Sequence, residues 1–309
     1  MFAEDLLAEL RREGFSVASV GTYVRRIAGR VVGRLPGNAE LVRSVAATAL
    51  LVFTIQFAAA LLLSWAFDRR LGVAFLIASS AILLVTSFWL LFHIGLVRAA
   101  SDGRPLRRVP FPVAITMLRL VSIPAIVLLI HERQWPVVVW LFVASASTDV
   151  LDGVLARAFH SETRIGSVLD PLTDIAFNSS VFIAVAQAGE MAWWVVGLML
   201  VRYALLVLGT FYLYVFVGPV RIQPTAFGKL TGVVTTVLVG LLLLGLAVWS
   251  EAIRHRLREV FEVGLGILAF ATIIQVIFIG LANKKLLGPP PVEAELPGKV
   301  VGDVRWPRR

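Results

Sequence analysis

The segment DVLDGVLARAFHSETRIGSVLDPLTD, residues 149–174, places four aspartates between long apolar stretches of the chain. Asp149 and Asp152 are three residues apart, and Asp170 and Asp174 are four apart, so each pair shares one face of a helix. The polar residues and the glycine between the two pairs are typical of a turn that joins neighbouring helices. The segment therefore predicts two adjacent helices whose four carboxylates converge.

The dipeptide Asp170-Pro171 has the pattern of a helix start. An aspartate side chain caps free backbone N–H groups, and proline fits the first helical position because its missing N–H is not needed there. The second helix of the pair is therefore predicted to begin at Asp170, which would place its carboxylates near the helix end.

The rest of the chain is unusually apolar. Of its 309 residues 58% are hydrophobic and 16% are charged, and the mean hydropathy is +0.86. Soluble domains carry about 45–50% apolar and about 25% charged residues. The chain has no cysteine, which excludes disulfides and thiolate chemistry. A net charge of +9 would suit contact with nucleic acid or with anionic lipid. Because the apolar stretches place the chain in a membrane, we expect contact with anionic lipid.

Eight stretches are long and apolar enough to be membrane-spanning helices, which predicts an all-α polytopic membrane protein. They are residues 44–67, 71–97, 112–130, 134–147, 175–189, 191–220, 230–250 and 263–283. With this topology, 21 of the 29 lysines and arginines lie on the side of both termini, six lie opposite, and Arg119 and Arg202 lie inside spans. Positive residues accumulate on the cytoplasmic side, so both termini and the four aspartates are predicted to be cytoplasmic.

Residues 1–43 precede the first span and are rich in arginine. Val24, Ile27 and Val31 fall on one helical stripe, while an arginine recurs at every fourth position from 26 to 34 on another. This pattern predicts an amphipathic helix on anionic lipid headgroups. The alternative is a solvated basic helix that leads into the first span.

The four aspartates suggest a metal centre. Four like charges at close range repel one another unless cations lie between them. Carboxylate ligands without histidine or cysteine suit Mg²⁺ or Mn²⁺, and two such metals can support displacement at phosphorus. Gly153 and Ala156 are small enough for a ligand to approach the backbone, and Arg157 can bind phosphate. The alternative is a cluster of helix caps and ion pairs.

The spacing D-x2-D-G-x2-A-R-x8-G-x3-D-x3-D resembles in full the signature of the CDP-alcohol phosphotransferase family. The resemblance covers roughly Pro112 to Asn283 and implies a six-helix core. It divides the chain into a cytoplasmic segment (1–43), two extra transmembrane helices (44–97), a basic linker (98–111), the catalytic core (112–283) and a cytoplasmic tail (284–309). It also implies transfer of a phosphatidyl-type group from a CDP-linked lipid such as CDP-diacylglycerol to a small alcohol, release of CMP, and a homodimer.

The same resemblance assigns roles to single residues. It implies metal ligation by Asp149, Asp152 and Asp170, and a general base that also touches a metal at Asp174. It implies CDP-binding positions at Gly153, Ala156, Arg157 and Gly166. Thr116 and Arg119 resemble a polar motif on the first core helix, where Thr116 would meet the nucleotide. Val113 and Ile175 stand where many members have asparagine and lysine.

Three cations are candidates to bind a phosphorylated acceptor. Arg202 lies within a span, Arg221 and Lys229 flank the next one, and Gly228-Lys229 is similar to a motif of family members with phosphorylated acceptors. These residues favour glycerol 3-phosphate, then inositol phosphate, over choline or ethanolamine. The alternative is that Arg221 and Lys229 are ordinary cytoplasmic residues.

Two other classes of protein share some of these features. A cation transporter would hold its carboxylates near the middle of the bilayer, and an inactive scaffold would retain the fold alone. We expect the enzyme, in a bacterial-type plasma membrane and without a nucleic-acid partner.

Overall fold

Helices form almost all of the chain that the structure describes. This computed structural model describes residues 4–99, 103–158, 163, 165–217 and 226–287, with the side chains of 149–158, 217, 226–227, 229 and 282–287 left out. The helices are α1 (Glu4–Arg12), α2 (Val17–Arg34), α3 (Ala39–Ala66), α4 (Arg69–Phe92), α5 (Phe111–His131), α6 (Trp135–Ala158), α7 (Gly166–Gln187), α8 (Trp193–Tyr212), α9 (Ala226–Val248) and α10 (Glu251–Leu287). Within these ranges the only β-type pairings are two isolated bridges. The all-α prediction is confirmed.

Seven helical segments are long and apolar enough to cross a membrane. They correspond to α3, α4, α5, α7, α8, α9 and α10. The eighth expected span is α6, a helix of 24 residues whose apolar part, among the residues described with side chains, is Trp135–Thr148. The prediction of a multi-pass membrane protein is therefore confirmed, with seven clear spans and an unbroken helix at the eighth position.

The six helices from α5 to α10 close into a ring. The order around the ring is α5, α6, α9, α10, α8 and α7, and α7 packs back against α5. The extra helices α3 and α4 pack against each other and against α5, outside the ring. The predicted arrangement of six core helices and two added spans is thus the observed architecture.

Apolar side chains fill the ring at one end, taken along the helix axes. The main buried cluster takes residues from all six ring helices, including Ile130, Val138, Val181, Met199, Leu243 and Leu265. Most of them lie in the half of the ring remote from residues 149–174, where dense van der Waals packing holds membrane helices together. A second cluster joins α3 and α4 to the first turns of α5 and α7. The polar side chains of α5, α7 and α8 lie in the other half.

The segment before the first span forms two helices, α1 and α2, that are joined by ion pairs. Arg26 bonds Glu9 at 2.8 Å, and Arg30 bonds Asp5 at 2.9 Å. The hydrogen bond from Arg30 lowers the pKa of Asp5, as expected for a carboxylate beside a cation. The α1–α2 hairpin also contacts the short π-helical segment Leu213–Val217 that follows α8, where Arg11 Nε donates to the carbonyl oxygen of Val215 at 2.7 Å.

The residues of the predicted apolar stripe of α2 differ in how far the protein covers them. Val31 is buried, whereas 58% of Val24 is exposed. The ion pairs with α1 set the rotation of α2, and the pattern of one helix could not reveal that partner. Contact of this segment with anionic lipid stays a prediction.

Candidate active site

Helix α7, which carries the second pair of aspartates, begins at Gly166. The backbone N–H of Gly166 donates to Thr163 Oγ1 at 3.0 Å, so a threonine hydroxyl satisfies one of the free N–H groups at the helix start. A Cβ on Gly166 would lie 3.0 Å from that hydroxyl and 3.8 Å from Asp170 Oδ2. The glycine therefore allows the helix start and Asp170 to lie close together.

The predicted helix start at Asp170 is wrong. Helix α7 begins four residues earlier, and Pro171 lies inside it. Thr163 takes the capping role that the sequence pattern assigned to Asp170. Because of the earlier start, Asp174 lies about 12 Å along the helix, at a rise of about 1.5 Å per residue. Asp174 is thus close to the middle of α7.

Gly166→Ala is expected to lower the apparent Tm, because the new Cβ would displace the Thr163 hydroxyl. Loss of a helix cap costs about 0.5–2 kcal/mol, against a gain of about 0.5–1 kcal/mol when alanine replaces glycine in a helix. The matched control is Gly197→Ala in α8, where a Cβ meets nothing within 4 Å and the Tm should hold or rise. Thermal unfolding in detergent measures both, and a Gly166→Ala protein as stable as the control would contradict the cap.

Thr116 of α5 faces the first carboxylate of α7. Its hydroxyl lies 3.1 Å from Asp170 Oδ1 and 3.0 Å from the carbonyl oxygen of Pro112, within hydrogen-bonding distance of both. The residue is almost completely buried. A buried hydroxyl in this position fixes the Asp170 side chain, because a buried polar group without a partner is costly.

Arg119 of α5 forms an ion pair with Asp174 Oδ1. Only 5% of the arginine side chain is exposed, compared with 49% of the Asp174 side chain. Separating them would leave a buried charge without its partner, so the pair is strongly held. The sequence marked Arg119 as a charge inside an apolar span but gave it no partner. Many family members have a lysine where this chain has Ile175, which carries no charge. In this chain Arg119 supplies the cation beside Asp174 instead.

Arg202 of α8 is a second arginine buried within a span. It is 8% exposed, and its Nε atom has no hydrogen-bond partner among the described residues. Its guanidinium carbon lies 5.5 Å from the centroid of the Tyr203 ring, within the range of a cation–π contact. Helix α8 packs against α7, the helix that carries Asp174.

The remaining predicted site residues lie where side chains are not described. The backbone of α6 is helical through Ala158, which keeps both N-terminal aspartates of the motif on one helix face. The α6 positions concerned are Asp149, Asp152, Gly153, Ala156 and Arg157. Lys229 belongs to α9 without a described side chain, and Arg221 lies outside the described residues.

The described carboxylates suit a divalent metal. Asp170 and Asp174 share a face of α7, and Thr116 and Arg119 hold one oxygen of each. Carboxylate oxygens are ligands that Mg²⁺ and Mn²⁺ prefer. No group of three histidine, cysteine, aspartate or glutamate side chains occurs in the part described, which omits the side chains of Asp149 and Asp152. Metal binding by the four aspartates stays a prediction.

The comparison with protein families matches most of the part of the chain that forms the ring. The model of the CDP-alcohol phosphatidyltransferase family matches residues 109–278. A probable phosphatidylglycerophosphate synthase of Mycobacterium tuberculosis is 34% identical over 140 residues, which cover 43% of this chain and 65% of the relative. A putative cardiolipin synthase of Mycobacterium bovis is 36% identical over 98 residues, 31% of this chain and 46% of the relative. A CDP-diacylglycerol–glycerol-3-phosphate 3-phosphatidyltransferase of Yersinia pestis is 36% identical over 87 residues, 27% of this chain and 47% of the relative.

Each of these alignments spans less than two thirds of the relative's own length. No solved structure matches the chain. The family match covers more than half of the 309 residues and runs from just before α5 into α10. It therefore contains the helices that bring Thr116 to Asp170 and Arg119 to Asp174. The chain belongs to the CDP-alcohol phosphatidyltransferase family.

Proposed function

We propose that this protein transfers a phosphatidyl group from CDP-diacylglycerol to glycerol 3-phosphate and releases CMP, as a step of phospholipid synthesis. The observation that carries the proposal is the pairing of α5 with α7, in which Thr116 contacts Asp170 and Arg119 contacts Asp174. These contacts orient two carboxylates of the family motif inside the ring. The names of two relatives include glycerol 3-phosphate, which supports that acceptor for this chain. Inositol phosphate is the next candidate.

The CDP-lipid would keep its acyl chains in the bilayer and place its pyrophosphate at the aspartates. Two Mg²⁺ or Mn²⁺ ions, when held by Asp149, Asp152, Asp170 and Asp174, would neutralise the pyrophosphate and the leaving oxygen. The proposed contacts to the CDP group are Thr116, Gly153, Ala156, Arg157 and Gly166.

Asp174 accepts the proton of the acceptor hydroxyl. The hydroxyl oxygen then bonds to the lipid-side phosphorus, while the bond from this phosphorus to the bridging oxygen breaks. The bridging oxygen leaves with CMP. Arg119 is a positioning residue in this scheme, because it orients the Asp174 carboxylate and does not touch the reacting atoms.

Arg202, Arg221 and Lys229 are proposed to bind the acceptor phosphate. Arg202→Gln is expected to raise the KM for glycerol 3-phosphate at least about tenfold, because a hydrogen bond to a charged group is worth about 1.5–3 kcal/mol. The KM for CDP-diacylglycerol in the same protein serves as the internal control and should change less than about twofold. Steady-state kinetics with each substrate varied in turn measures both. An unchanged acceptor KM would remove Arg202 from the acceptor site.

The decisive experiment measures CMP release by the purified full-length protein in detergent. CDP-diacylglycerol and Mg²⁺ or Mn²⁺ are supplied with glycerol 3-phosphate, inositol phosphate, or an acceptor without phosphate. Release is expected with the first, and it should stop when the metal is chelated by EDTA. Absence of CMP with every acceptor would reject the enzyme and favour a scaffold or a transporter. A cation transporter would hold its carboxylates near the middle of the bilayer and release no CMP, so this assay separates it from the enzyme.

We further propose that the aspartates and both termini lie on the cytoplasmic side of a bacterial-type plasma membrane, and that two copies form a homodimer. The distribution of lysine and arginine supports the orientation.

A further inference from the structure

A pocket of about 300 Å³ opens at the end of the ring remote from the aspartates. It forms where the connections α5–α6, α7–α8 and α9–α10 meet. Its walls carry the cationic or aromatic residues Arg133, Arg254, His255, Arg258, Trp249 and Phe261, together with the carboxylates Glu190 and Glu251. None of the candidate active-site residues lines this pocket, so any ligand here would be separate from the reaction.

Two of the three arginines are fixed by protein groups. Arg133 pairs with Glu190 at 3.3 Å and donates to the Ala188 carbonyl oxygen at 2.9 Å. Arg258 pairs with Glu262 at 2.7 Å and donates to the Gly189 carbonyl oxygen at 2.7 Å. Each guanidinium has five N–H donors, so both retain donors beyond those used to hold the α7–α8 connection.

Arg254 is the third arginine. Glu251 precedes it by one turn of α10 and lines the same pocket, but no ion pair joins the two among the described residues. The Nε atom of Arg254 is buried and lacks a hydrogen-bond partner in the ranges that the structure describes. A buried donor without an acceptor is costly. The unpartnered Nε of this cationic side chain therefore favours a ligand that brings an acceptor oxygen, carried by an anion, into the pocket.

The other walls of the pocket are apolar. Leu242 and Leu246 of α9 line it together with Phe261, and the rings of Trp249 and Phe261 lie 6.3 Å apart. The pocket is at the ends of membrane-spanning helices, where tryptophan is typical of the headgroup level. Arginine is the side chain best matched to phosphate oxygens. A ligand with a phosphate and an attached hydrocarbon would suit both the arginines and the apolar side chains that line the pocket.

We propose that this pocket binds the phosphate-bearing headgroup of an anionic phospholipid, in the leaflet opposite the one that faces the aspartates. Arg254 contacts the phosphate, and the lipid's first methylene groups lie against Leu242, Leu246 and Phe261. The proposal does not depend on the catalytic function and stands if that function fails.

Quenching of Trp249 by a brominated lipid tests the proposal. Phosphatidylglycerol with bromine atoms near the headgroup end of its acyl chains is titrated into the full-length protein in detergent micelles. The quenching that disappears in the Trp249→Phe variant is the part that arises in this pocket. Arg254→Gln is expected to weaken that part by about tenfold, the loss typical of one charged hydrogen bond. The matched control Arg256→Gln removes the same charge from an exposed residue that does not line the pocket, and should change it less than twofold.

Equal effects of Arg254→Gln and Arg256→Gln would overturn the proposal, since only general attraction of charges would then remain. Equal quenching by brominated phosphatidylcholine would reject the requirement for an anionic lipid. Displacement of the lipid by inorganic phosphate at the same concentration would assign the pocket to free phosphate instead. If Arg254→Gln does not elute as a folded protein, the test is repeated with Arg254→Lys and its control Arg256→Lys. Quenching of Trp249 should be at least threefold weaker in Arg254→Lys, and Arg256→Lys should not show this loss.

Discussion

Replacing Asp174 by asparagine is expected to lower the rate of CMP release by about 10³-fold. A positioned general base contributes about 10²–10⁴-fold to a rate, and asparagine cannot accept the acceptor's proton. The amide oxygen can still receive the hydrogen bond from Arg119, so the packing of α5 against α7 should persist. Initial rates at saturating CDP-diacylglycerol and glycerol 3-phosphate measure the effect, and binding of CDP-diacylglycerol should be largely spared.

The matched control is Asp68→Asn, in the turn between α3 and α4 outside the ring. The same chemical change there should leave the rate within about twofold, as is usual for surface positions away from a site. If Asp174→Asn retained more than a tenth of the activity of the unchanged protein, Asp174 would not be the base.

Arg119→Gln is expected to lower kcat by about 10²-fold, although Arg119 touches no substrate in the proposed mechanism. The loss would come from disorder of the Asp174 carboxylate that the buried guanidinium now holds. The effect should nearly vanish in the Asp174→Asn background, because a residue that acts through another has nothing left to position. The coupling of the two substitutions would then be about 2.7 kcal/mol, which corresponds to 10²-fold in rate.

A cycle of four proteins measures this coupling: unchanged, each single variant and the double variant. Arg119→Lys is the conservative control, since it keeps the charge and should restore part of kcat while the Tm stays close to that of the unchanged protein. Additive losses in the cycle, or a lysine variant no better than glutamine, would make Arg119 a purely structural residue.

Much of the fold was predictable from the sequence, because few kinds of secondary structure are stable across a lipid bilayer. Apolar stretches of about 20 residues can only be helices where backbone groups must be satisfied internally. Seven spans followed from length and apolarity alone. The start of α7 was not predictable. Asp170-Pro171 carries a local start signal, but the helix begins four residues before Asp170, at Gly166, whose N–H is bonded by Thr163. Pro171 is accommodated within the helix.

The residue types of the candidate site were visible in the sequence, but the partners of those residues were not. A charge inside an apolar span, such as Arg119, signals importance. Its partner Asp174 is 55 residues away, and no local pattern links the two. The rotation of α2 likewise depends on Asp5 and Glu9 of another helix.

The circular order of the six helices bears on how the protein is made. Helix α6 is joined to the rest of the circle by α5 and α9, and α8 by α7 and α10, yet α9 and α10 are synthesised last. A chain that stops after α8 would already contain all four aspartates but could not close the circle around them. The circle is therefore completed only when the last two helices have entered the bilayer, after the helices that carry the aspartates have been made.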